Sequence, residues 1–324
     1  MLDIITIGSA TKDIFLDAAK SKKGQGFCFP LGQKIEMENM KSFTGGGGVN
    51  AATTFTLQGL KTGFCGVVGQ DMAGQDIIEE LQSLNIETGL VKIKSGKATD
   101  VGIILHEKNE RSILLYHSSS KTFGEKDIDW QSLKQTQWLY IAPLWQEAAK
   151  LTAKLIDFAK ENQIKIALNP SQNQLSLSLI KKVIKDINVL ILNSDEASIL
   201  TGVKTYQEKV VFQKIEKQVF REIRKMTKAI IVVTKGKNGA AAMDNKFIYQ
   251  VPAVPIKVTD ATGAGDSFGS GFVAGLIRRK TIEQSLQLAM ANAISNIQVF
   301  GANKGLVGKN DKIQDIKITK QALS

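Results

Sequence analysis

Short apolar, β-branched runs alternate along the chain with stretches whose apolar positions recur every three to four residues. The runs predict strands at Ile4–Gly8, Thr62–Val68, Trp138–Ile141, Lys165–Asn169, Val189–Asn193 and Ile230–Thr234. The longer periodic stretches predict helices near Val49–Gln58, Gly74–Leu84, Ala148–Asn162, Leu177–Asp186 and Tyr206–Met226. Strand–helix–strand alternation builds a parallel sheet covered on both faces, and strands that are apolar on both sides suit it. The expected fold class is therefore α/β, a doubly wound and mostly parallel sheet flanked by helices. Two stretches break this rhythm. Residues 11–44 mix glycines, Pro30, charges and short apolar pieces without a helical period. Residues 95–120 hold two extended runs, Thr99–His106 and Arg111–His117, around a Lys108-Asn109-Glu110 turn, which is hairpin spacing. Together they predict a small β-sheet lid set into one domain over residues 1–308. Residues 309–324 read as a polar C-terminal tail.

Composition narrows the classes. With 324 residues, 43% hydrophobic and 23% charged, the chain can bury a large core and is no disordered segment. No apolar run approaches the roughly 20 residues that a membrane span needs. The opening Met1–Gly8 has no basic segment, and Asp3 and Thr6 cut its apolar run, so a first strand is expected rather than a signal peptide. The 2 cysteines, Cys28 and Cys65, lie far apart and form no CxxC pair, which points to a reducing, cytoplasmic setting. The 2 histidines, His106 and His117, offer no zinc site.

Net charge is +11, from 42 basic against 31 acidic residues. The excess is mostly scattered lysine, with arginine only at Arg111, Arg221, Arg224, Arg278 and Arg279. Base-edge readout leans on arginine, so the expected partners include neither nucleic acid nor membrane, and the charge reads as a solvated surface.

The richest stretch is Val258-Thr259-Asp260-Ala261-Thr262-Gly263-Ala264-Gly265-Asp266-Ser267-Phe268. An extended segment runs into a glycine-rich turn and then a helix. The first amides of a helix lack intrahelical partners and carry the positive end of its dipole, a site suited to phosphate. Asp266 falls in that first turn, where a carboxylate can take a proton from a hydroxyl attacking a phosphoryl group. A carboxylate there also simply suits the helix dipole, and the glycines also suit close packing. Gly269-Ser270-Gly271-Phe272-Val273-Ala274 fits a dinucleotide fingerprint in form, but it falls inside the helix, away from the required strand–helix turn. No Walker A pattern or protein-kinase catalytic loop occurs. A second glycine run, Gly45–Gly48, precedes Asn50 and a small-residue helix; its amides are expected to lie open to a ligand, with Asn50 on a sugar hydroxyl, or to form a loop before a packed helix. Asp13 lies just past the end of the first strand, where ligands of open α/β sheets bind.

These two glycine-rich segments resemble the two signatures of the PfkB/ribokinase family of carbohydrate kinases. The first runs from Gly45–Asn50 through Gly59-Leu60-Lys61-Thr62 to Val68-Gly69-Gln70-Asp71-Met72-Ala73-Gly74, and the second is Asp260–Asp266 with its helix. The likeness extends from the first strand to about Gly305. It implies a ribokinase-like fold with a lid over the sugar and ATP-dependent phosphorylation of a hydroxyl on a sugar or sugar-like molecule. It implies Asp266 as the base, with the amides of Gly263, Ala264 and Gly265 as the anion hole. Asp13, Gly46 and Asn50 become substrate contacts. Asn193-Ser194-Asp195-Glu196 is similar to the family's N-x-x-E motif, with Glu196 and Asn193 ordering the water shell of Mg²⁺. Thr234-Lys235-Gly236-Lys237-Asn238-Gly239 is similar to the nucleotide loop, with Thr234 and Gly236 on ATP, and Asn292 matches a position bordering the adenine. Asp260 and Thr262 match positions that hold a monovalent cation, K⁺, in some members. Two departures stand out: Gly47 replaces the usual Lys, so ribose itself does not follow from the motif, and Ala261 replaces a Thr.

A nucleoside kinase of the same fold is the nearest alternative, with Phe29, Phe43 and Trp145 available as a base slot. A catalytically silent sugar- or nucleotide-binding regulator is a further one, against which the intact Asp266, Asn193 and Glu196 argue. A basic nucleic-acid binder would show steep salt dependence. The exposed edge of the lid is open to pairing with a second subunit as a homodimer, or to staying free.

Overall fold

The structure, a computed structural model, describes residues 1–107, 110–203 and 212–323. Among these, a ten-stranded sheet runs in the order Thr319–Ala322, Phe247–Val251, Ala240–Met243, Ile230–Thr234, Val189–Asn193, Lys165–Leu168, Thr136–Ile141, Leu2–Ile7, Thr62–Gly69, Val91–Lys94. From Val91–Lys94 through to Ile230–Thr234 every neighbouring pair is parallel. The remaining strands form an antiparallel flank.

Period-two alternation sorts the central strands between two cores. Ile5, Ile7, Leu139, Ile141, Leu190 and Leu192 face the helix Leu151–Glu161 and its neighbours. Ile4, Tyr140, Ile191 and Val232 face the helices Gly47–Leu57, Ala264–Ile277 and Ile282–Ile297. Each such side chain, fully withdrawn from water, contributes roughly 1.5–3 kcal/mol relative to exposure. Close packing on the second face depends on glycine: a Cβ at Gly271 would lie 3.1 Å from Ala289 Cα, and one at Gly275 2.6 Å from Ser285 Oγ. The glycines of the fingerprint-like Gly269–Ala274 thus serve packing, Gly271 against a helix and Gly269 against Tyr140 and Ile191 of the sheet.

The lid is a separate four-stranded sheet in the order Met40–Gly45, Thr11–Asp17, Asp100–Glu107, Glu110–Tyr116. The two runs around residue 108 pair antiparallel as expected, with Val101 opposite Tyr116 and His106 opposite Arg111. Lys108 and Asn109 of the expected turn lie outside the described residues.

Several expected elements differ. The stretch Leu177–Asp186 is not one helix: it holds the single turn Ile180–Val183 and a 3₁₀ turn Ile184–Asp186, with a further turn Gln172–Leu175 upstream capped by Ser171. Of the helix expected over Tyr206–Met226, Phe212–Met226 is helical, and residues 206–211 lie outside the described residues. The hairpin Ala240–Met243/Phe247–Val251 was hidden in the sequence by alanine-rich, buried strands. The stretch set apart as a polar tail joins the body: Ile316 is buried and Thr319–Ala322 pairs with Phe247–Val251.

Candidate active site

The parallel strands end together, Ile7 level with Ile141 and Asn193 level with Thr234. The segments beyond these ends converge with the lid.

Gly263 caps the helix Ala264–Ile277 with φ 85°, a left-handed conformation that glycine adopts freely. A Cβ there would also meet the Ala302 carbonyl oxygen at 2.3 Å. Gly265 is different: nothing lies within 4 Å of where its Cβ would stand, so the first turn is open. The Ala264 amide donates to the Ala261 carbonyl at 3.4 Å, which is long for such a bond. Asp266 follows in the same turn, half-buried. Burial holds its carboxyl above the ordinary carboxylate range, and a bond from Asn50 Nδ2 to Oδ2 at 2.9 Å pulls the other way. Asn50 itself is buried, and its Oδ1 has no partner. The helix N-terminus and the glycine run, 216 positions apart in Asn50 and Asp266, therefore meet in one hydrogen bond.

Of the amides along Gly45–Gly48 that the sequence leaves either open to a ligand or in a loop before a packed helix, those of Gly47 and Gly48 are taken by Ser9: its Oγ accepts from Gly47 N at 3.1 Å, and its carbonyl accepts from Gly48 N and from Val49 N beyond the run. Gly46 has φ 96°, and a Cβ on it would lie 2.5 Å from the Ser9 carbonyl oxygen. The run serves close approach of two backbones. Gly47 faces the site, its Cβ position 3.5 Å from Asp266 Oδ1 and 3.1 Å from Pro143 Cδ.

Asp13 stands in the lid sheet, buried, between two glycines on the flanking strands. Its carboxyl fills the space that a side chain on Gly45 or Gly102 would need, at 2.0 and 2.7 Å from those Cβ positions. Thr11 Oγ1 donates to it at 2.8 Å. Burial raises this carboxyl to about 6, Thr11 opposing, with the charges of Asp260 and Asp266 adding.

Asn193 and Glu196 cap the helix Ser194–Thr201 reciprocally: Asn193 Oδ1 accepts from Glu196 N at 2.9 Å, and Glu196 Oε2 accepts from Asn193 N at 2.8 Å. Glu196 is raised to about 7 by burial, against its bond with the Asn193 amide, and the charge of Asp266 adds to the rise. Asp13, Asp266, Glu196 and Asp260 thus form one electronegative neighbourhood. Among the described residues no three His, Cys, Asp or Glu side chains converge on a point. A divalent ion here would draw most of its ligands from phosphate and water, which suits Mg²⁺.

Thr234 and Gly236 line a cleft of about 540 Å³ beside Ala264 and Gly265. Its walls are largely apolar, including Val254, Ile256, Phe268 and Met290. Asn292 does not line it: fully buried, it donates to Thr54 Oγ1 and the Ser267 carbonyl and accepts from Val307 N. Asp260 accepts from Thr262 N at 2.9 Å and Gly301 N at 3.2 Å, and Thr262 Oγ1 is buried without a partner. Ser9, Gly102 and Pro143 were missed in the sequence, since their parts depend on backbone proximity that only the fold creates. Phe43, considered as a base slot, packs edge-on against Phe15 at 5.6 Å. Phe29 and Trp145 are exposed.

The chain belongs to the pfkB family of carbohydrate kinases, whose pattern it matches over residues 1–307. It is a phosphotransferase acting on a sugar-type hydroxyl. It is 24% identical over 307 residues to the cytidine kinase of Thermococcus kodakarensis, covering 93% of this chain and 98% of that protein. It is 26% identical over 292 residues to the ribokinase of Lactococcus lactis, covering 88% of each. Its fold matches that of the Arabidopsis thaliana ribokinase complexed with ribose and ATP, with TM-score 0.78, 21% identity and coverage of 95% and 96%. The small separate sheet takes the place of the lid in this fold.

Proposed function

We propose that the protein transfers the γ-phosphoryl group of ATP to a hydroxyl of an uncharged sugar or nucleoside. The observation that carries this is the Asn50–Asp266 bond at the open first turn of a helix, with Asn50 Oδ1 left unpartnered for a ligand donor. In this reading Asp13 and Asn50 hold the acceptor, with Gly46 keeping the backbone tight beside it. Asp266 takes the hydroxyl proton as its oxygen attacks in line. The amides of Gly263, Ala264 and Gly265 receive the charge that builds on the phosphoryl oxygens. Thr234 and Gly236 flank the nucleotide in the apolar cleft. Glu196 with Asn193 fits a water-held Mg²⁺, which neutralises phosphate charge when bound. Asp260 and the unpartnered Thr262 hydroxyl fit a monovalent cation such as K⁺. Closure of the lid keeps water from competing as acceptor.

Electrostatics favours an uncharged acceptor. The charges of Asp260 and Asp266 both act on Asp13, and a second phosphate placed beside these carboxylates would meet their repulsion. Sugar and nucleoside both qualify. The nucleoside reading gains from Trp145, which is exposed just past Pro143 with its ring 6.1 Å from His117.

The test is ATP consumption with Mg²⁺ against neutral sugars, sugar phosphates and nucleosides, with Asp266→Asn as control. The expected result is one neutral acceptor turned over by the wild type, with kcat lowered about 10²–10⁴-fold or more in the variant while folding is retained. Turnover surviving in Asp266→Asn would overturn the assignment of the base. A sugar phosphate as the preferred acceptor would overturn the substrate class.

A further inference from the structure

The loop after the last long helix, residues 298–304, touches two parts of the molecule that the reaction has to bring together. On one side lies the lid. The Phe300 ring packs edge-on against Phe15 at 5.9 Å and sits 5.2 Å from the His106 ring. Lys41 Nζ stands 4.4 Å over the same ring. Phe15, His106 and Lys41 come from three different lid strands. The loop has a second tie to the lid's base: Lys304 pairs with Glu80 at 2.5 Å, and the other Glu80 oxygen accepts from Thr44 Oγ1.

On its other side lies the turn before Asp266. Gly301 N donates to Asp260 Oδ2, and Oδ1 of the same carboxylate accepts from Thr262 N. The Ala302 backbone fills the space beside Gly263, where a side chain would come within 2.3 Å of it. Asn296 Nδ2 binds the Gly301, Ala302 and Lys304 carbonyls at 3.2, 3.2 and 2.9 Å, so the loop moves as a unit if it moves at all.

From this we infer that Phe300 is a positioning residue: it couples the lid to the anion-binding turn at Asp260–Gly265. With the lid seated on Phe300, the loop holds Asp260 and Gly263 in the geometry that receives phosphate. With the lid lifted, the ring loses its aromatic and cationic neighbours and the loop loses its outer support. The inference rests on the kinase reading, and it assigns that site a control that neither the lid nor the turn carries alone. Coupling of this kind is a free energy shared between sites, and it is shown only by non-additivity.

The experiment is a double-mutant cycle read by calorimetric binding of the non-hydrolysable analogue AMP-PNP with Mg²⁺, which needs no identified acceptor. The proteins are the wild type, Phe15→Leu, Phe300→Leu and the double variant. Lys41→Gln, alone and with Phe300→Leu, is a milder exposed lid-side probe should Phe15→Leu impair folding. Melting temperature is followed in each. The expected result is that the lid-side substitutions weaken AMP-PNP binding about fivefold or more with Phe300 present, and less than about twofold with Phe300→Leu. Phe300→Tyr should restore the dependence. A merely structural Phe300 would lower melting temperature and leave the affinity changes multiplicative. Multiplicative changes, or none in a wild type that binds AMP-PNP, would overturn the inference. A well-folded wild type that does not bind AMP-PNP would instead remove the kinase reading, and this inference with it.

Discussion

At the scale of single residues, the site holds its acids in an expensive form. Asp13 is buried with its carboxyl raised from an ordinary 3.8 to about 6, and Glu196 rises from 4.5 to about 7. The folded chain therefore binds these protons more tightly than the unfolded one. That stabilisation is complete below pH about 4 and is lost as pH climbs through about 6 and then 7. Replacing Asp13 with Asn should accordingly stabilise the protein at pH 8, by of order 2 kcal/mol, with little gain at pH 4. Thermal melts at the two pH values check it, and equal shifts at both would contradict it. Activity should follow the opposite course, rising from pH 5 to 8 as the carboxylates ionise. Asn50 and Asp266 stood out in the sequence because each follows a glycine-rich turn that leads into a helix, and Asp13 because it comes soon after the first strand, although it lies within a lid strand. Asn292 was misplaced because an asparagine inside a helix carries no sign of which face it uses. Ser9 was invisible, since a serine that fills backbone amides has no pattern of its own.

At the scale of elements, the start of the helix Ala264–Ile277 holds two glycines with opposite roles, Gly263 as its N-cap and Gly265 in its first turn. Gly263 is needed by the fold: φ 85° and the Ala302 carbonyl oxygen leave no place for a methyl. Gly263→Ala should cost about 2 kcal/mol or more in a urea melt. Gly265 is open, so Gly265→Ala should melt within about 0.5 kcal/mol of wild type. In the proposed reaction its methyl would project into the space the transferred group needs, and kcat/KM should fall about tenfold or more. Normal activity in Gly265→Ala would place the phosphoryl group elsewhere. The parallel strands were legible because burial on both faces leaves continuous apolar runs. The stretch 177–186 misled because its apolar spacing is helical while its turns are too short to join. The edge strand Thr319–Ala322 escaped because its side chains are exposed, so its sequence is polar and only backbone pairing places it.

At the scale of the whole molecule, the lid sheet ends on one side at Glu110–Tyr116, which pairs with no further strand among the described residues. Glu110–Tyr116 is exposed along its length, with Ile113, Leu114, Leu115 and Tyr116 at 42, 55, 54 and 58%. Alternate residues point to opposite faces, so apolar groups stand on both sides of the strand. A long apolar edge of this kind favours pairing with a like edge. The protein is expected to sediment as a dimer, and Leu114→Glu combined with Tyr116→Glu should yield a monomer that remains folded. A wild type that sediments as a monomer at tens of micromolar would refute the pairing. The lid itself was legible from two extended runs at hairpin spacing. Its seating on Phe300 was not, because the partners come from residues 15, 41, 106 and 300.

The slot around Asp13 has a consequence for the family's history. The carboxyl of one strand occupies the volume that a methyl on either neighbouring strand would claim at Gly45 and Gly102. An alanine at either position expels the acid, and without the acid the glycines on its two flanking strands leave a hole in the sheet. Homologous sequences should therefore keep or lose this acid and its two glycines as a set, a covarying triplet whose members stand far apart along the chain.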